Sequence, residues 1–174
     1  MTTGGARPVD DRRIIERVLE GDTEAFNLLV RRWEKPIYNF ILRMIGDRDE
    51  AMDLCQDSFM KAYRELDSLK DKDRFSAWLY RIAHNSCFSR LRRDQGKTFV
   101  ELMPDAHSAS NPVEIQLAVE KALQQLPEDQ REVVVLKVYQ RLKFEEIAAI
   151  QDAPVSTVKS RLYMAFEKLK SILG

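Results

Sequence analysis

Apolar residues recur along this chain at helical spacing, and no segment alternates as a half-buried strand would. Within residues 10–20, Ile14, Ile15, Val18 and Leu19 share one face, and Gly21-Asp22 ends the segment. A longer stripe starts near Asp22 or Thr23 and holds Phe26, Leu29, Val30, Trp33, Ile37, Phe40, Ile41 and Met44. Pro36 lies inside it. A kink or break is expected near Lys35, because proline lacks an N–H and its ring crowds the preceding turn. Gly46-Asp47 stops the stripe. Residues 49–66 predict a third helix with Ala51, Leu54, Cys55, Phe59, Ala62 and Leu66 inward. After a polar loop over 67–74, residues 75–93 predict a fourth, with Phe75, Leu79, Ile82, Ala83 and Ser86 inward.

Periodicity then fails. Residues 95–112 collect Gly, Ser, Asn and Pro and read as a linker, as 1–9 reads as a disordered tail. Residues 113–125 resume the helical pattern until Leu126-Pro127, and Pro127 suits the first turn of the next helix. That helix runs to about Gln140 and is expected to bury members of the Val133-to-Leu136 run and Tyr139. Phe144, Ile147, Ala148 and Ile150 then give one short helix its apolar face. Val158, Leu162, Ala165, Leu169 and Ile172 give another its stripe. Gln151-Asp152-Ala153-Pro154 breaks between them, and Ser156 or Thr157 can cap the second. This is a helix-turn-helix, whose second helix typically enters the DNA major groove.

The polar faces carry the candidate chemistry. Opposite the last stripe stand Ser156, Lys159, Ser160, Tyr163 and Met164, flanked by Thr157 and Arg161. Such groups at a helix start bond phosphates and base edges; a plain helical hairpin with a solvated face is the alternative. On the third helix Asp53, Gln56, Asp57 and Met60 form a second stripe, either a docking surface for a basic helix or ordinary solvated charge. On the fourth, Arg81, Asn85, Phe88 and Arg92 recur on one face. Arginine neutralises phosphate, an amide reads a base edge and an aromatic stacks on an unpaired base. Trp78 can stack likewise or belong to the core, and the whole face can also be a basic rim on a partly buried helix.

Composition narrows the class. Lys plus Arg and Asp plus Glu are both 28 in 174 residues, so no global basic charge announces a nucleic-acid binder. The charges are sorted instead: Lys72, Arg74, Arg81, Arg90, Arg92, Arg93 and Lys97 cluster, whereas residues 98–120 hold Glu101, Asp105, Glu114 and Glu120 and no cation. Such sorting suggests separate surfaces for separate partners. Cys55 and Cys87 sit at apolar helix positions and read as buried, reduced thiols. His84 and His107 have no partners at metal-ligand spacing, so neither metal nor cofactor is expected. No catalytic dyad or phosphate loop is present, which disfavours an enzyme. No apolar segment suits a signal peptide or a membrane span, so a cytoplasmic protein without membrane insertion is expected.

Four segments then stand together in order: DRDEAMDLCQDSFMKAYREL, FSAWLYRIAHNSCFSRLRR, LPEDQREVVVLKVYQRLKFEEIAAI and PVSTVKSRLYMAFEKLK. With this spacing and length, the chain resembles the extracytoplasmic-function (ECF, group 4) sigma factors of bacterial RNA polymerase, in the sigma-70 family. The resemblance implies an all-α protein of two small domains, region 2 over 10–95 and region 4 over 113–174, joined by a flexible linker over 96–112. Region 2 would dock on the β′ clamp helices of core polymerase and open the −10 promoter element. Asp53, Gln56 and Asp57, with Met60 beside them, fall at the β′ contact. Asn85 falls near the flipped-out base, the 67–74 loop forms its pocket, and Arg74, Trp78, Arg81, Phe88 and Arg92 complete the −10 set. Region 4 would read the −35 element through Lys159, Ser160, Tyr163 and Met164, with Ser156, Thr157 and Arg161 alongside. The resemblance also implies contact with the β subunit, an anti-sigma partner, and a stress or envelope response. Three positions depart from the family pattern: Asp152 replaces a usual glycine, Met164 a frequent Arg or His, and Glu167 a frequently basic residue. A helix-turn-helix regulator that never engages core polymerase is the competing reading. It accounts for the C-terminal third only.

Overall fold

The computed structural model describes residues 9–95 and 111–174, and all regular structure in them is helical. The expected tail and most of the expected linker lie outside these residues. Helix α1 (Asp11–Leu19) buries Ile14, Ile15 and Val18, whereas Leu19 is 45% exposed. Asp11 fixes α1 to α2 (Phe26–Ile45): its carboxylate accepts from Arg32 at 2.5 Å and from the Trp33 indole at 3.0 Å. A single 3-10 turn, Thr23–Ala25, leads into α2.

Of the expected kink or break, the break does not occur: α2 runs through Pro36 as one helix. Magnitudes explain this. An interior proline costs about 3 kcal/mol, while each fully buried large apolar side chain contributes about 1.5–3 kcal/mol. Leu29 before the proline, and Ile37, Phe40, Ile41 and Met44 after it, are all fully buried on one continuous stripe. Gly46, in the left-handed region at φ 81°, closes the helix. Asp47 then caps α3 (Arg48–Glu65) by accepting from the Glu50 amide at 2.9 Å. Two 3-10 turns, Leu66–Ser68 and Lys72–Arg74, shape the loop before α4 (Phe75–Asp94). Trp33, Phe40, Phe75 and Tyr80 meet edge-on at 5.6–6.4 Å between centroids, which is the preferred aromatic geometry.

The second unit begins with Asn111, whose side chain caps α5 (Pro112–Gln124) from the Val113 amide at 2.8 Å. Helix α6 (Glu128–Val134) continues as one π-helical turn, Val135–Tyr139. Then come α7 (Phe144–Gln151) and α8 (Val155–Leu173). Asp152 adopts the left-handed conformation at φ 50°, ψ 50°, so aspartate does fill the turn position where a glycine was expected. Two expectations fail here. Neither Ser156 nor Thr157 caps α8, because the helix starts one residue before Ser156 and Pro154 takes the cap position with its fixed φ of −60°. Tyr139 is not buried; the π turn carries it to the surface, 4.0 Å beneath the Arg43 guanidinium.

Leu123, Leu126, Val134 and Ala165 form a small core within the second unit. Val133, Val135, Leu136, Ile147, Ile150 and Val158 instead join the apolar core of α1–α4. Helix α4 lies at the seam, packed against α2 and α3 on one side and α7 on the other. Both cysteines are free and buried. Burial pushes the Cys55 thiol up to about 11 and raises Cys87 as well, so both stay protonated near neutrality.

Arg131, only 6% exposed, bridges the units. Its guanidinium donates to the carbonyl oxygens of Leu123, Gln124 and Leu126 at 3.0–3.2 Å, ending α5, and to Met44 O at 2.5 Å, ending α2. Helix C-termini leave carbonyls without intrahelical partners, and here one planar fork serves two of them. Arg131→Met keeps the volume and strands these acceptors. It should lower unfolding stability by about 3 kcal/mol, read as a fall in the urea midpoint; a loss under about 0.5 kcal/mol would mean that water replaces the fork.

Candidate nucleic-acid and polymerase interfaces

The acidic stripe of α3 faces outward along its whole length. Asp53, Gln56 and Asp57 are exposed and Met60 is 57% exposed, while Cys55, Ser58 and Phe59 between them are buried. Met52 and Tyr63 extend the same surface at 52% and 44% exposure. Exposed methionines beside carboxylates make an adaptable apolar-acidic surface for a basic partner.

On α8 the predicted face divides. Ser156, Lys159, Ser160, Tyr163 and Met164 are exposed, and Tyr163 reaches 68%. The Lys159 ammonium sits 5.4 Å over the Phe144 ring and remains free to reach a phosphate. Thr157 is half-buried. Arg161 turns inward: it donates to the Gln151 side-chain oxygen at 2.9 Å and pairs with Asp129 at 3.0 Å. It therefore acts first as a brace between α6, α7 and α8.

The α4 residues are gathered on one side but not equally open. Arg74, Asn85 and Arg92 are exposed, while Trp78, Arg81 and Phe88 are half-buried. Trp78 and Arg81 line a shallow cleft of about 330 Å³ together with Leu69, Asp71, Arg74 and Ala149. Aspartate 71 shapes its rim by accepting from the Asp73 amide at 3.0 Å and pairing with Arg74 at 3.4 Å. Arg12 of α1 reaches Asp73 at 3.1 Å and so props the loop from behind. The charge-assisted bond from Arg81 goes to a backbone carbonyl of α7, Ala149 O, at 2.6 Å.

Several residues at this site carry no sequence signal of their own. His84 stacks on Phe88 with centroids 4.4 Å apart and pairs through Nδ1 with Glu132 at 2.6 Å. The Glu132 side chain is fully buried, and its other oxygen accepts from Gln151 at 2.9 Å. Tyr80, whose burial keeps its phenol protonated, donates to the Gln140 side-chain oxygen at 2.8 Å. Arg90, counted above among the clustered cations, is tied down by Glu50 and Asp94. Among the described residues no group of His, Cys, Asp or Glu has the geometry to hold a metal ion, and no helix is long and apolar enough to cross a membrane.

Comparison with known proteins meets this geometry at both ends. Residues 29–97 match sigma-70 region 2, and residues 116–169 match sigma-70 region 4. The chain is 36% identical to the RNA polymerase sigma-H factor of Pseudomonas aeruginosa, over 94% of this chain and 93% of that protein. It is 37% identical to the ECF RNA polymerase sigma-E factor of Escherichia coli, over 91% of this chain and 92% of the other. The chain belongs to the ECF sigma factors of RNA polymerase. Its fold is that of solved relatives. One is CnrH in complex with the cytosolic domain of CnrY, with TM-score 0.74 and 27% identity over 94% of this chain and 96% of that one. Another is the sigma factor RpoE bound to the anti-sigma factor NepR from Bartonella quintana, with TM-score 0.70 and 29% identity over 85% and 96%.

In this sigma factor the brace from Arg161 through Gln151 and Glu132 to His84 joins three helices of the second unit to α4. Gln151→Ala removes one of the two partners of a buried carboxylate and leaves Arg161 with Asp129 alone. It should destabilise the chain by about 1–3 kcal/mol, seen in chemical denaturation. A neutral outcome would show that Asp129 alone holds Arg161 and that water enters at Glu132.

Proposed function

We propose that this chain is a promoter-specificity subunit. It binds core RNA polymerase through α3, reads a −35 element as duplex through α8, and holds an extruded −10 base against α4 and the 67–74 loop. It acts in the cytoplasm as a binding subunit, with polymerase supplying the chemistry. An anti-sigma factor is its proposed antagonist, since the RpoE of Bartonella quintana named above is bound to one. The observation that carries this reading is the joint presence, on one chain, of an outward acidic stripe, an outward polar recognition helix and a cationic-aromatic face beside a cleft. A regulator that only binds duplex DNA has use for the second of these alone.

Each residue has a role that follows from its chemistry. Asp53 and Asp57 attract the basic side of the β′ helices while Gln56 and Met60 pack beside them. Lys159 neutralises a phosphate, and Ser160, Tyr163 and Met164 reach toward base edges and thymine methyls; Ser156 and Thr157 bond the backbone at the helix start. Asn85 offers an amide to the Watson–Crick edge of an unpaired base. Trp78 and Phe88 stack, while Arg74, Arg81 and Arg92 hold the strand's phosphates.

Two measurements test this. Asp53→Lys with Asp57→Lys reverses the stripe and should abolish co-purification with core polymerase, while circular dichroism stays unchanged because both positions are exposed. Retained binding would place the polymerase contact elsewhere. Run-off transcription with core polymerase tests the strand step. Extruding a base costs a few kcal/mol, which contacts to the free base must offset. Asn85→Ala should therefore cut transcription from duplex promoters sharply and from pre-melted promoters less. Equal activity of mutant and wild type on duplex templates would reduce Asn85 to a structural residue.

A further inference from the structure

The turn that joins α6 to α7 holds a residue at odds with its backbone. After the π-helical turn the chain reverses direction: Gln140 donates its amide to Val135 O and Leu142 donates to Leu136 O, both at 3.1 Å. Arg141, between them, sits in the left-handed region at φ 57°. This is the position after a helix end where glycine is usual, because a Cβ there crowds the following carbonyl. Among the described residues Asp152 is the only other non-glycine in that region, and aspartate tolerates it through its short polar side chain. Arginine has no such device. Its side chain is exposed, and no described residue accepts from its guanidinium. A strained residue that the fold does not use points to a function outside the fold.

The surroundings identify the ligand. Phe144, at the start of α7, meets two ammonium groups: Lys137 Nζ lies 4.3 Å from its ring centroid and Lys159 Nζ 5.4 Å. Lys137 also donates to Leu142 O at 3.0 Å, beside Arg141. Through that ring the turn adjoins the exposed Lys159 of the recognition helix. Lys143 is exposed as well. Of the two carboxylates that follow, Glu146 is folded back onto the Lys143 amide at 2.7 Å, and Glu145 is exposed. In a helix-turn-helix the first helix crosses the DNA backbone while the second enters the groove. Helix α7 is that first helix, and Arg141 leads into it. We propose that Arg141 is a phosphate anchor of the duplex reader, holding the DNA backbone beside the segment that α8 reads. A guanidinium grips a phosphate through two parallel bonds whatever the base sequence, and Lys143 adds a second cation next to it. This inference rests on the reading of α8 as the duplex reader.

The test measures the full-length chain without polymerase, by fluorescence anisotropy on two fluorescein-labelled duplexes of unrelated sequence across a salt series. Arg141→Gly removes the cation and suits the backbone, while Arg141→Lys keeps the cation. Lys121→Ala, at an exposed position of α5, controls for lost charge, and Lys159→Ala tests α8 itself. Arg141→Gly should weaken binding to both duplexes by about three- to tenfold at about 0.1 M salt and flatten the salt slope by about 0.9. Arg141→Lys and Lys121→Ala should stay close to wild type. The urea midpoint of Arg141→Gly should hold or rise, because relief of the left-handed backbone offsets the freedom of glycine in the unfolded chain. No structural role yields a protein that is as stable or more stable and yet binds DNA less well. Unchanged affinity and slope in Arg141→Gly, or a loss no greater than that of Lys121→Ala, would overturn the anchor. A lowered midpoint would overturn it too, by making Arg141 structural, as would a loss on one duplex only, which assigns the residue to a base edge. If Lys159→Ala also leaves binding unchanged, the duplex reader itself fails. If Lys159→Ala weakens binding and Arg141→Gly does not, the anchor alone fails.

Discussion

A carboxylate removed from water must be met by donors, and Glu132 is met from two directions. Burying an unpaired charge costs several kcal/mol, so a fully enclosed glutamate persists only where its partners are held in place. His84 comes from α4 and Gln151 from α7. Gln151 in turn holds Arg161 on the recognition helix, and Asp129 on α6 holds the same guanidinium. The neighbouring residue, Arg131, repeats the logic with opposite sign, ending α5 and α2 with one guanidinium. Adjacent residues of opposite charge thus pin α6 to helices of both units, and the apolar seam closes around them.

That seam places a double demand on α4. Its Phe75, Leu79, Ile82, Ala83 and Cys87 are buried, and its remaining surface carries the residues assigned to the DNA strand. A helix packed on two sides has little surface to spare, so structural and functional side chains stand one residue apart: Tyr80 is buried beside Arg81, and Cys87 beside Phe88. The α3 helix is simpler. It packs against α2 and α4 and leaves a full stripe of Asp53, Gln56, Asp57 and Met60 in water, a geometry that suits a surface meant for another protein.

Much of this was legible in the chain. Single-sided helices announce themselves because one apolar stripe at 3.6-residue spacing has one explanation. Accordingly the stripes of α2, α3 and α8, the outward Asp53 and Lys159, the left-handed turn at Asp152 and the buried cysteines all follow from residue type and spacing. What misled was local rule against tertiary gain. Pro36 breaks helices in isolation and does not break this one, since the apolar stripe on both sides outweighs it. Ser156 and Thr157 are good caps, yet Pro154 sets the start of α8. Tyr139 belongs to the apolar pattern of an α-helix, but the π turn at Val135–Tyr139 rotates it outward and aims Gln140 at Tyr80.

The sequence by itself therefore determined the helices, their inward faces, the two units and the residue types available to polymerase and DNA. Periodicity and cap chemistry are short-range and leave their mark within a few residues. Tertiary structure alone decided which of those residues are free. The pairings Tyr80–Gln140, Arg81–Ala149 and His84–Glu132 join positions 60, 68 and 48 residues apart. No spacing rule reaches across such distances, because the partner of a polar group is chosen by packing of the whole chain. Whether Arg81 faces a phosphate or a carbonyl of its own chain is settled at the seam.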